Sequence, residues 1–176
     1  SSNEILPYEL ADFPGRSFYR NTGATERYGF ELAANFSWNT WQLQTSFTQA
    51  SYRFSGLEDV PGSLKGNDLP GIPSTQMFMQ LEYSTPSSWQ FQLTAEHIGR
   101  LFANNQNTVA INAYQKVRLQ ASKGIALSWG ELSFFGGVNN LFDVRYYDNI
   151  RLNAFGSRHF EPAPGRNLFG GLSIAF

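Results

Sequence analysis

The sequence predicts an all-β protein, an antiparallel transmembrane β-barrel with about 8–10 strands present. Three observations predict it. Apolar and polar side chains alternate at a period of two along runs long enough to cross a membrane. The connections alternate between short turns and long irregular loops, as they do when the two ends of a barrel face different compartments. Trp38, Trp41, Trp89 and Trp129, with Tyr83, gather at the short turns, where an interfacial aromatic girdle would lie.

The elements follow in order. Glu4 to Leu10 is a short extended segment holding Pro7, which suits a strand near a rim. Asp12-Phe13-Pro14-Gly15 makes a turn. Arg16 to Ser37 reads as one long strand, with Gly23 and Gly29 as expected bulges or bends. In its second half Tyr28, Phe30, Leu32, Ala34, Phe36 and Trp38 oppose Glu31, Asn35 and Ser37. After the reversal at Asn39-Thr40, Trp41 to Phe54 alternates again. Ser55 to Ser74 is rich in Gly, Pro and Asp and is read as a long functional loop. Thr75 to Tyr83 and Trp89 to Phe102 form the next pair about the turn Thr85–Ser88, with Phe78 breaking the alternation. Ala103 to Asn107 reads as a polar loop, Ala113 to Ala121 as a strand, and Lys123 to Gly130 as a short connection. Leu132 to Phe142 is a strand, Asp143 to Gly165 a second long loop, and Arg166 to Phe176 the final strand. In that strand Leu168, Gly170, Leu172, Ile174 and Phe176 share one face.

Composition narrows the function classes. The 176 residues fit one domain, residues 1–176, and the net charge of -1 gives no electrostatic case for nucleic acid. Charged residues are 15% against about 25% in ordinary soluble domains, while aromatics reach 16%. Strands that face something other than water have this balance. The absence of cysteine removes disulfides, thiolate catalysis and Cys-ligated metals. Period-two alternation also describes a soluble sandwich or a lipocalin-like barrel; strand length, Trp placement and loop asymmetry favour the membrane.

Several segments resemble a known family. Asn139-Asn140-Leu141-Phe142-Asp143 followed by Tyr146 is similar to the NNLFD-x-x-Y segment of TonB-dependent outer-membrane receptors. Pro162-Ala163-Pro164-Gly165-Arg166 resembles their PxPGR lead into the last strand, and Leu69-Pro70-Gly71-Ile72-Pro73 their PGxP. Arg27 to Leu32 resembles an RxGxEL strand start, and Asn21-Thr22-Gly23-Ala24 an N-x-G. Leu168, Leu172, Ile174 and terminal Phe176 resemble the signal read by the outer-membrane barrel assembly machinery. The resemblance implies the C-terminal part of a barrel of about 22 strands, with the plug and the TonB-contacting segment outside this chain. It also implies a Gram-negative outer membrane, contact with its lipid, and uptake of a ferric siderophore or similar metal complex energised through TonB. Cobalamin, copper or a sugar remain open as cargo. A small structural or adhesive barrel, closed by these strands alone, is the second expectation; a hydrolase is a weaker third.

The residues that could carry chemistry are few. His97 and His159 are the only histidines. His97 is nominally in phase with the apolar face and is read as structural; a register shift near Gly99 would move it. His159 is read as a solvated loop residue. Arg145, Tyr146, Tyr147, Arg151, Arg158 and His159, with Phe155, give the last loop a cationic and aromatic character. Such groups suit an anionic, aromatic ligand, with Asp148 and Glu161 available to pair the charges. Glu31, Glu82, Glu96, Arg100, Lys116 and Arg118 are read as charge pairs on a polar wall. Met77 and Met79 share a face, which suits lipid more simply than copper. No catalytic residue, cofactor or resident metal is expected.

Overall fold

The computed structural model describes residues 5–10, 12–21, 24–56, 64–154, 156 and 158–176. Thr22 and Gly23 of the N-x-G segment, Glu4, Phe155 and positions 57–63 of the first long loop lie outside the described residues. In chain order, a hairpin of β1 (Ile5–Glu9) and β2 (Ser17–Asn21) precedes β3 (Ala24–Trp38), β4 (Trp41–Gly56), β5 (Thr75–Ser84) and β6 (Trp89–Ile98). The two-residue strands β7 (Leu101–Phe102) and β8 (Ala110–Ile111) come before β9 (Tyr114–Leu127) and β10 (Gly130–Asn139). A second short pair, β11 (Tyr147–Ile150) and β12 (Phe160–Pro162), leads to β13 (Asn167–Ala175).

Seven strands form one antiparallel meander, ordered β13-β10-β9-β6-β5-β4-β3. Each strand pairs with the sheet strand before and after it in sequence, so every connection is a hairpin. The three minor pairs are β1-β2, β7-β8 and β11-β12. The sheet is open: β3 and β13 are its edges, and β1 pairs with β2. This corrects the second expectation: the described strands do not close into a small barrel of their own, and the last strand stands at an open edge with β10 beside it. Seven twisted strands curve through only part of the circle that about 22 require.

Register converts the alternation into two continuous faces. One row crosses all seven strands as Phe36, Leu43, Leu81, Leu93, Leu119, Val138 and Leu168. One residue along, the opposite face reads Ser37, Gln42, Glu82, Gln92, Gln120, Gly137 and Phe169. The apolar face is not a core: Trp38 is 78% exposed, Leu168 79% and Leu172 75%. Covering each such side chain with hydrocarbon is worth about 1.5–3 kcal/mol, and an outward apolar band of this kind is what a transmembrane β-barrel presents to lipid. At the turn side Trp41 lies 4.5 Å from Tyr83, Trp89 stacks 6.0 Å from Phe91, and Trp129 packs 5.6 Å from Phe176. The final strand puts Leu168, Leu172, Ile174 and Phe176 on this exposed surface.

Other boundaries shift for local reasons. The segment Arg16 to Ser37 divides into β2 and β3. Gly29 causes no bulge, since its register with Ala50 is unbroken. A Cβ there would come 2.5 Å from the Gln49 carbonyl oxygen and 2.6 Å from the Ala50 Cβ, so the close approach of two strands requires glycine. Lys123 to Leu127 belongs to β9, and the turn is only Ser128-Trp129. β6 stops at Ile98, where Gly99 donates its N–H to Thr75 O at 2.8 Å. β10 likewise stops at Asn139, because the next residues form a tight turn.

Candidate functional site

The long connections end up at one end of the sheet and are knitted together by asparagine. Asn67 donates from Nδ2 to Asn105 O at 2.9 Å. Asn107 accepts the Asp68 N–H at 2.7 Å and donates back to Asp68 O at 2.9 Å, imitating a strand partner. Asn105 donates its N–H to Asn153 Oδ1 at 2.9 Å, and Asn153 Nδ2 returns a bond to Asn105 Oδ1 at 3.1 Å. Backbone bonds add to this: Gly71 N–H to Phe102 O at 2.8 Å and Asn153 N–H to Ala103 O at 2.9 Å. Asn107 and Asn153 have φ of 56° and 53°, a conformation asparagine tolerates better than most residues. Three loops, described over residues 64–74, 99–113 and, in the last, 140–154, 156 and 158–166, are thereby one unit.

That unit has its own apolar interior. Phe54, Leu64 and Leu69 form one buried cluster with Tyr52 against it. Leu101, Ala103 and Ile111 form another, flanked by Ile98, Val109, Ile150 and Phe160. The stretch Ala103 to Asn107 is therefore not a simple polar loop. It is the tip of the β7-β8 hairpin, with Ala103 fully buried.

The segment Asn139 to Asp143 fastens the last strand. Asn139 donates to Asn167 Oδ1 at 2.9 Å. Asn140 is buried and clasps Val144 from both sides, accepting its N–H and donating to its carbonyl, each at 2.9 Å. Asp143 accepts the Arg166 N–H at 2.7 Å, and a Cβ on Gly165 would come 2.8 Å from that carboxylate. The two sequence segments on either side of the last loop thus meet at one carboxylate, which closes the loop at its base.

The six candidate residues separate. Tyr146 turns to the polar face, stacking 4.9 Å from Tyr114 with Lys116 Nζ 5.7 Å from its ring centre. Tyr147 stacks on Phe160 at 4.5 Å within the β11-β12 hairpin. Arg151 donates from Nε and Nη2 to Glu161 Oε1 at 3.1 and 2.8 Å, so the expected pairing with Glu161 is formed. Hydrogen bonds from Asn149, then from Arg151, hold the Glu161 carboxyl below its ordinary value. His159 is only 5% exposed, with Nδ1 3.1 Å from Arg151 O and its ring 5.8 Å from Phe160. The solvated-loop reading of His159 is thus corrected: hairpin packing buries it. Arg145 and Arg158 are exposed and pair with no carboxylate among the described residues.

Below the loop, the polar face carries a cleft of about 380 Å³. Glu96, Lys116, Arg118 and Asn139 line it from the wall, and Tyr146 and Asp148 from the loop. Lys116 Nζ lies 3.1 Å from Glu96 Oε2. Arg118 reaches Gln120 Oε1 at 2.6 Å and covers the Phe169 ring at 4.6 Å. Of the expected wall charges only Glu96 and Lys116 pair across strands; Glu82 instead accepts hydrogen bonds from Gln80 and Gln92 at 2.8 and 2.9 Å, and Arg100 lies 4.8 Å over Phe102. Spacing alone did not link Tyr114 and Lys116 with Tyr146, since strand and loop meet only in the folded chain. His97 stays on the apolar face, paired in register with Met77 and Gln115, and its buried Nδ1 has no hydrogen-bond partner among the described residues. Among the described residues no three His, Asp or Glu side chains gather into a metal-holding group.

The fold has counterparts among solved structures. The siderophore receptor PiuA from Acinetobacter baumannii superposes with a TM-score of 0.75 at 17% identity, over 98% of this chain and 24% of that one. BauA, the ferric preacinetobactin receptor from the same organism, gives 0.72 at 14%, over 98% and 25%. The copper transporter OprC gives 0.72 at 20%, over 99% and 26%. This chain spans about a quarter of the length of each. The family described as TonB dependent receptor-like, beta-barrel matches residues 2–141, so the chain belongs to the β-barrel domain of TonB-dependent receptors.

Proposed function

We propose that the chain is the C-terminal portion of the barrel of an outer-membrane receptor that takes up a ferric siderophore or similar metal complex, energised through TonB. In this reading residues 1–176 are one piece of the barrel domain, and the plug and TonB-contacting segment belong to other parts of the receptor. The observation that carries it is the fused loop unit above a polar cleft. A ligand arriving from outside meets the exposed cations Arg145 and Arg158 and the rim aromatic Tyr147, then the cleft bounded by Tyr146 and Lys116. Guanidinium and phenol groups suit an anionic, aromatic complex. BauA and PiuA are receptors of ferric and siderophore cargo, whereas OprC is a copper transporter, so iron is the favoured metal and copper the competitor.

Growth of a strain deleted for the gene, on single ferric siderophores as the only iron source, tests the reading. Loss of growth on one complex, restored by the gene and not by an Arg145→Ala/Arg158→Ala double variant, is expected. Unchanged growth on every ferric complex, with altered copper tolerance, would overturn the iron reading.

A further inference from the structure

The apolar face carries a cation without a carboxylate partner among the described residues; Arg53, in the same phase near the loop end, is paired with Asp68. Lys123 is in register with Trp89 and Phe134, between Ala121 and Ile125 on the surface that meets lipid. Its Nζ lies 5.2 Å from the Trp89 ring centre, and no carboxylate pairs with it among the described residues. Trp89 is fixed in turn, stacked 6.0 Å from Phe91 and edge-on to Phe134 at 5.9 Å. An ammonium facing hydrocarbon is costly unless it reaches an interfacial anion.

Two residues along the strand, about 7 Å away, the same face sinks. A groove of about 400 Å³ opens there between Tyr83, Phe91, Leu93, Leu119, Ala121 and Val138. Its floor is small because Phe91 is followed across the sheet by Ala121, Gly136 and Gly170. Gly136 is not required by the backbone: a Cβ there would meet nothing nearer than Phe169 O at 3.6 Å. An apolar groove beginning beside an unpaired ammonium, at the tryptophan-lined margin, matches a lipid with an anionic head.

We propose that Lys123 and this groove form a phospholipid site, with the lipid phosphate on Lys123 against Trp89 and one acyl chain over Ala121 and Gly136. The proposal rests on the outer-membrane reading above. The phosphate gains a charge-assisted contact, and the lysine gains the counter-ion that its strand neighbours do not supply.

The test is native mass spectrometry of the full-length gene product in detergent, titrated with phosphatidylglycerol or phosphatidylcholine. Wild type should retain one phosphatidylglycerol where phosphatidylcholine is stripped. Lys123→Gln should weaken phosphatidylglycerol about fivefold, and Lys123→Arg should preserve it. Gly136→Leu should weaken phosphatidylglycerol by filling the groove while leaving the lysine in place. Equal retention of both lipids by wild type, or retention indifferent to Lys123→Gln, would overturn the site. Recovery of the protein from the aqueous fraction without detergent would instead sink the membrane reading, so the two failures are separable.

Discussion

The strand wall and the loop unit solve the burial problem in opposite ways. The wall has two faces and no interior: its leucines and most of its aromatics lie outward, and the buried apolar residues of the described chain are Phe54, Leu64, Leu69, Leu101, Ala103 and Ile111, at the loop end. The loops, built from irregular backbone, exclude water through these clusters and through paired asparagines. The wall turns its apolar side chains outward, the pattern of a barrel wall built to face a bilayer, while the loops bury their own.

The largest expected effect breaks the loop side. Phe54 is 1% exposed, and Phe54→Ala should remove about 3–5 kcal/mol from the loop unit. Faster proteolysis between residues 64 and 74, with the folded barrel still migrating as such on an unheated gel, is the expected result. Global loss of the barrel would mean that the two regions are not separate. Next comes the wall: Leu119→Arg, in the middle of the apolar face, should cost about 2–4 kcal/mol in denaturant unfolding from vesicles. Gln42→Arg, on the polar face opposite Glu82, is its control and should cost little. Equal costs would erase the distinction between faces. Asn153→Ala should cost about 1–3 kcal/mol, because it leaves the N–H of buried Asn105 unpaired. Hydrogen exchange should then rise in both loops although only one was altered. The smallest effect is in pH. The Glu161 carboxyl is depressed by Asn149 and Arg151, so its stabilising contribution is present above the ordinary carboxylate range and fades as pH falls through the lowered value. In a carboxyl-labelled sample its resonance should titrate at lower pH than in Arg151→Met, and equal midpoints would remove this contact from the loop's account.

How far each region was legible follows from the same contrast. In the wall, side-chain chemistry is dictated by which solvent each face meets, so the period of two is written in the residues themselves. Tyr28 to Trp38 and Trp41 to Phe47 show it without help. The errors there came from residues with double meanings. Gly29 signals a bend in sequence but serves strand approach, and Lys123-Gly124 resembles a turn but lies within β9. In the loops, partners are far apart in sequence and strands are as short as two residues, so no period exists to read. Burial of His159 depends on Phe160 and the backbone of Arg151 together. The motif Asn139 to Asp143 was visible as a string, but its work of joining Val144, Asn167 and Arg166 appears only once the ends of the loop meet.

The asparagine lattice also sets a rule for engineering. A chimera that exchanged the last loop alone would present a foreign side chain where Asn153 meets Asn105, and the strain would pass through Asn107 to Asp68. Loops 64–74, 99–113 and 140–166 are thus a single graft. Moved together they should transplant onto another wall of the same register, and moved singly each should arrive misfolded.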